Sequence, residues 1–123
     1  MSKIDVNANG CIFTGLEFEN HLEFRGIRYA RAQRWEYPKM CDYENGCFNA
    51  CEFGNCSPQY RAFEDDAVVN SFYYKEFRRN SSFSYGEDCL FLNIYAPKSA
   101  KNAPVLIYIH LSLIHISEPT RRS

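Results

Sequence analysis

The sequence predicts an α/β fold: a small antiparallel meander followed by the first strands of a central sheet. Three observations point there. Apolar residues alternate between Cys11 and Phe24, as they do in antiparallel strands covered on one face. Residues 90–95 and 105–109 are apolar on both faces, as strands inside a covered sheet are. Between these regions, residues 61–79 carry Phe63, Ala67, Tyr74 and Phe77 near one helical face, with Glu64, Asp65 and Asp66 in the first turn, where the helix dipole favours acids.

In chain order, Cys11, Phe13 and Gly15 lead into Leu16 and Phe18, a polar turn falls near Asn20, and Leu22 and Phe24 resume the alternation. Gly26 marks an expected bulge or close backbone approach. His21 is expected as an exposed turn residue and Trp35 as a packing residue. Cys41, Cys47, Cys51 and Cys56 follow within sixteen residues. A zinc site would need metal-ligand spacing, but no Cys-x-x-Cys pair occurs and no histidine lies among them, so disulfides are the expected use. The Glu64-Asp65-Asp66 run reads as a solvated helix N-terminus in preference to a metal or acid/base cluster. Residues 80–84 form a polar connection. In the next strand Leu90, Leu92 and Ile94 share one face, Phe91 and Tyr95 take the other, and Pro97 ends it. Residues 98–103 are a loop before the second doubly apolar strand, which runs to His110.

With 123 residues the chain holds one domain at most. A formal net charge of -1 favours neither nucleic acid nor an anionic membrane as partner. No apolar run approaches the ~20 residues of a membrane span. Six cysteines favour an oxidising compartment, yet residues 1–10 are polar and lack the apolar core of a signal peptide. A truncated or mis-started N-terminus would reconcile the two. The sequons at Asn55 and Asn80 are compatible with secretion.

The stretch Glu87-Asp88-Cys89-Leu90 resembles the Glu-Asp-Cys-Leu signature of the type-B carboxylesterase and cholinesterase family of α/β-hydrolases, with Phe91 where the family usually has Tyr. Phe24-Arg25-Gly26-Ile27-Arg28-Tyr29-Ala30 is similar to the family's Phe-x-Gly-Ile-Pro-Tyr-Ala block, with Arg28 in place of proline. Arg31-Ala32-Gln33-Arg34-Trp35 resembles a shortened form of the Pro-rich stretch that follows. Residues 49–59 resemble the Asp-Ala-Thr-x-Phe-Gly-x-x-Cys-x-Gln block, one residue shorter before the cysteine. Residues 104–110 resemble the strand that ends in His-Gly-Gly-Gly, but Leu111 follows His110 here.

The resemblance covers residues 10–110 and implies the N-terminal part of an α/β-hydrolase domain, incomplete as given. It implies a disulfide between Cys56 and Cys89 at the rim of the active-site gorge, leaving Cys11, Cys41, Cys47 and Cys51 unassigned. It makes His110 a structural residue at the end of the oxyanion strand. In the family, a serine on a Gly-x-Ser-x-Gly elbow attacks the carbonyl of a small carboxylic ester, helped by a histidine and an acid. No Gly-x-Ser-x-Gly occurs in residues 1–123, so no catalytic residue, metal ligand or cofactor is expected within them. The alternative is a fragment of a non-catalytic cholinesterase-like adhesion or binding ectodomain, which keeps the same N-terminal blocks. Residues 111–121 resemble the translation of a transposase-type sequencing-library adapter, so residues 111–123 are expected to be a non-native tail in which His115 carries no chemistry.

Overall fold

The computed structural model of the chain describes residues 2–58, 72, 84–99 and 101–109. Its first unit is a hairpin of β1 (Ser2–Ala8) and β2 (Cys11–Glu17), paired in register from Ser2↔Glu17 to Ala8↔Cys11. The two-residue turn is Asn9-Gly10, at φ of 52° and 83°. A hairpin of this length needs left-handed backbone at both positions, and Asn and Gly adopt it most cheaply. A third strand, β3 (His21–Arg28), returns antiparallel to β2. The polar turn expected near Asn20 is the connection.

Strand β2 divides its partners. Its C-terminal end pairs with β3 through Leu16↔Glu23 and Glu17↔Leu22, while Ile12, Phe13 and Thr14 pair in parallel with β6 (Cys47–Asn49). That insertion joins the cysteine-rich segment to the meander. Phe13, Tyr43 and Phe48 cluster there, with ring centroids 4.5–5.4 Å apart. Among the described residues the core consists of Cys11, Leu16, Phe24, Ala30 and Ala50, and Cys11 is completely enclosed. A short second sheet pairs β4 (Ala30–Arg31) with β5 (Lys39–Met40).

The bulge expected at Gly26 is present. Strand β3 pairs antiparallel with β7 (Phe91–Pro97), and the register shifts between Phe24 and Ile27. Gly26 sits at φ 63°, and a Cβ there would lie 2.4 Å from the Glu52 carbonyl oxygen. No side chain fits that gap. At the bulge β3 turns from one neighbour to others. Arg25 N–H donates to the Ala50 carbonyl at 2.7 Å, and Gly26 N–H donates to Asn93 Oδ1 at 2.9 Å. A side-chain amide on β7 thus replaces the backbone acceptor that the bulge displaced.

Three expectations are corrected. The strand expected to be buried on both faces is β7, and Leu92, Ile94 and Tyr95 are exposed on it. Its one partner among the described residues is β3, and no described strand pairs with its other edge. Residues 105–109 form no strand and are 72–93% exposed. Apolar character on two faces permits burial, but a strand requires a neighbouring strand, and no described strand pairs with these residues. Trp35, expected to pack, is 95% exposed at φ 72°. It lies in the turn closed by Glu36 N–H to the Gln33 carbonyl, which directs its side chain away from the sheets. The helix expected over 61–79 lies outside the described residues except Phe72, which is helical and exposed. The acidic run at 64–66, Asn80, His110 and the tail from 111 also lie outside them.

Candidate functional site

The signature loop before β7 docks on the end of β3 and on residues 53–56. Two ion pairs fix one side of it. Arg28, at the end of β3, makes a bidentate pair with both carboxylate oxygens of Asp88. This fork-to-fork geometry suits guanidinium and carboxylate. The Arg28 guanidinium also lies 4.5 Å from the Phe91 ring centroid, so its face is covered by an aromatic ring while its edge is bonded. The hydrogen bonds from Arg28 hold the Asp88 carboxyl below its usual range, and Asp88 in turn raises Arg28. Arg34 pairs with Glu87 further out, where both side chains are mostly exposed.

The other side of the loop is fixed by the segment containing Cys56. Cys56 N–H donates to the Ser84 carbonyl at 2.8 Å, and Gly86 N–H donates back to the Cys56 carbonyl at 3.1 Å. Asn55 Nδ2 donates to the Asp88 carbonyl at 3.2 Å and Ser84 Oγ donates to Asn55 Oδ1 at 2.7 Å. The sequon amide at Asn55 is therefore engaged at both polar atoms. Cys56 and Cys89 are both half-buried thiols. Tyr43, from the loop between β5 and β6, donates its hydroxyl to the Arg28 carbonyl at 2.7 Å, and burial raises its phenol above the ordinary value. An open cleft of about 400 Å³ is walled by Arg28, Arg31, Arg34, Glu87 and Asp88.

A second polar cluster lies on β3. Glu23 is buried, accepting from Arg25 at 2.5 and 2.7 Å and lying 2.9 Å from His21 Nε2. Burial raises its carboxyl, but His21 and Arg25 together outweigh this and hold it below its usual range. His21 was expected in an exposed turn. It is half-buried, stacked on Phe18 at 4.7 Å between centroids, because β3 starts at His21 and turns its ring onto the strand face.

Neither cluster is a nucleophilic centre. Ser2, Thr14 and Ser84 donate their hydroxyl hydrogens to Glu17, Asp5 and Asn55, not to an imidazole that could take the proton. Among the described residues no group of three His, Cys, Asp or Glu side chains converges on a metal-sized space. Asp88 acts as an anchor for the loop. Arg28, Arg34 and Asn55 escaped the sequence reading as partners of that loop. In the sequence Arg28 reads as a replacement for proline, and no local periodicity connects it to a carboxylate sixty residues away.

The model of the carboxylesterase family matches residues 9–117. The chain belongs to the carboxylesterase family. It is similar to gut esterase 1 of Caenorhabditis elegans, with 37% identity over 101 residues, covering 78% of this chain and 15% of that protein. It is similar to lipase 1 of Yarrowia lipolytica, with 31% identity over 113 residues, covering 89% of this chain and 21% of that one. A solved thermophilic PNB esterase shares the fold at a TM-score of 0.52 and 23% identity, over 76% of this chain and 18% of its own. The chain thus spans about a fifth or less of the length of these relatives. The fold is the N-terminal part of the family's α/β-hydrolase fold, and its described strands pair antiparallel except for β6, which joins β2 in parallel.

Proposed function

We propose that this chain is the N-terminal part of a serine carboxylic-ester hydrolase, and that it frames the entrance to a substrate gorge without supplying a catalytic group. The observation that carries this is the double anchoring of the signature loop: Arg28 grips Asp88 on one side and Asn55 holds the same residue's carbonyl on the other. A loop held at both ends of one residue is a rigid rim, and a rim of fixed shape selects which ester enters. The substrate class is a small-molecule carboxylic ester bound by the larger protein.

Cys56 and Cys89 form the rim's disulfide in this reading. Support comes from the backbone pairing of Cys56 with the loop at Ser84 and Gly86, and from the Asn55–Asp88 contact one residue before each cysteine. On the chain-entropy model such a bond adds about 3–4 kcal/mol. In the complete protein His110 would end the strand that leads to the oxyanion glycines, and residues 111–121 are read as a translated adapter standing where the family has those glycines. Oriented backbone N–H groups at those glycines stabilise the charge that develops on the carbonyl oxygen, and residues 111–113 are Leu-Ser-Leu with no glycine among them.

The test is to amplify the native transcript across the His110 codon and express the complete reading frame. The expected result is Gly-Gly-Gly after His110, a downstream Gly-x-Ser-x-Gly, and hydrolysis of a short-chain aryl ester that is lost when the elbow serine is changed to alanine. Residues 1–123 alone are expected to show no hydrolysis above a denatured control. A complete frame without the elbow serine would overturn the hydrolase reading in favour of a binding ectodomain. Native RNA encoding Leu-Ser-Leu-Ile-His-Ile after His110 would overturn the adapter reading.

A further inference from the structure

The contacts around Asn55 join the two cysteine segments by bonds that do not involve sulfur. Its amide donates to the carbonyl of Asp88, the residue before Cys89, and accepts from Ser84 at the start of the same loop. Asn55 itself is the residue before Cys56. Backbone bonds from Cys56 to Ser84 and from Gly86 to Cys56 extend the contact along both segments. Gly86 leaves room for it, since a Cβ there would lie 2.9 Å from Asn55 Nδ2. All of this is in place with Cys56 and Cys89 as thiols.

The chain has four further cysteines that could compete for Cys56: Cys11, Cys41, Cys47 and Cys51. Cys11 is completely enclosed, and Cys51 donates its thiol to the Thr14 carbonyl at 3.4 Å. Cys41 and Cys47 are open to exchange and lie closer to Cys56 in sequence than Cys89 does. Loop entropy alone would therefore favour the wrong partners.

We propose that Asn55 is a positioning residue for oxidation, holding the Cys89 loop against Cys56 before the bond exists and so selecting Cys89 over the other thiols. The inference rests on the Cys56–Cys89 pairing above. With oxidised glutathione as oxidant, one cysteine thiolate attacks its disulfide and releases one glutathione thiol. The second cysteine thiolate then attacks the mixed disulfide and releases the other. The cysteine pair loses two protons and two electrons, and one glutathione disulfide becomes two thiols. Asn55 takes no part in these transfers. It raises the effective concentration of one thiol at the other.

The experiment is oxidative refolding of the reduced full-length protein, expressed from the complete reading frame, in a glutathione buffer, with timed acid quenching and non-reducing peptide mapping. The wild-type chain is expected to form Cys56–Cys89 as its main early product. In Asn55→Ala the early yield of that bond falls roughly three- to tenfold, the range set by losing one or two hydrogen bonds, and Cys56 moves to Cys41 and Cys47. Ser84→Ala, which removes one of the two amide contacts, gives a smaller fall in the same direction. Hydrogen exchange at the β2–β3 amides separates positioning from collapse, and their protection is expected to be unchanged in Asn55→Ala. Equal yields in wild type and Asn55→Ala overturn the role of Asn55 while the pairing stands. Loss of β2–β3 protection in Asn55→Ala also overturns it, because the residue would then support the fold at large. A wild-type chain that pairs Cys56 elsewhere overturns the pairing itself and this inference with it.

Discussion

Strand β2 and residues 105–109 are both short apolar runs, yet one is a core strand and the other is exposed and forms no strand. β2 has β1 on one edge, and β3 and β6 share the other, so its backbone groups are bonded and Cys11 and Leu16 are buried. Residues 105–109 are more uniformly apolar and remain 72–93% exposed. β7 stands between them, paired with β3 on one edge and with no described strand on the other. Hydrophobicity supplies a driving force, but neighbours decide whether it is realised, because an unpaired backbone cannot be buried without cost.

The largest effect should come from destroying the bulge on which the paired half depends. Gly26→Ala forces a Cβ into the Glu52 carbonyl and holds a non-glycine residue at φ 63°. A loss of about 2–4 kcal/mol is expected, read as a fall in the denaturation midpoint and lost exchange protection along β3. A midpoint unchanged by this substitution would mean that the 52–54 segment is not packed against the bulge.

The open half calls for the opposite test. Val105→Lys with Ile107→Lys places charges on residues that are 85 and 77% exposed. Exposed apolar edges associate, so light scattering of residues 1–123 should fall sharply while β2–β3 protection is unchanged. Loss of that protection would show the two regions to be interdependent.

Arg28→Met sharpens the comparison at the junction of the two regions. It keeps contact with Phe91 and leaves Asp88 without its partner, costing about 1 kcal/mol after allowing for the half-exposed carboxylate. The Asp88 carboxyl is held below its usual range in the folded state, so its contribution is present above the unfolded value of about 3.9 and is lost as pH falls through the lower folded value. Wild type should therefore lose stability more steeply than Arg28→Met below about pH 4, and at neutral pH the difference should be constant. Parallel acid limbs would rule out the pair as a source of stability.

The smallest effect is expected at Arg34→Ala. Its pair with Glu87 joins two largely exposed side chains, where solvent and salt screen the attraction. No measurable change in the denaturation midpoint is expected, so a clear fall would show that the outer ion pair is a structural anchor as well.

Local chemistry made part of the fold legible in advance. The alternation from Cys11 to Phe24, the turn near Asn20 and the bulge at Gly26 follow from side-chain period and from glycine's backbone freedom, both of which act within a few residues. The family was legible too, because the Glu87–Leu90 signature and the Phe24–Ala30 block are contiguous. Tertiary structure alone decided the parallel insertion of β6 beside β2, the grip of Arg28 on Asp88 and the two-sided hold of Asn55. Each joins residues 29 or more positions apart, except that Asn55 also lies directly before Cys56. Such partners are chosen by the packed shape, since neither charge nor polarity in one segment names its complement in another. The exposure of β7 and residues 105–109 belongs with these, for an apolar pattern records what a segment can bury and only its neighbours determine what it does bury.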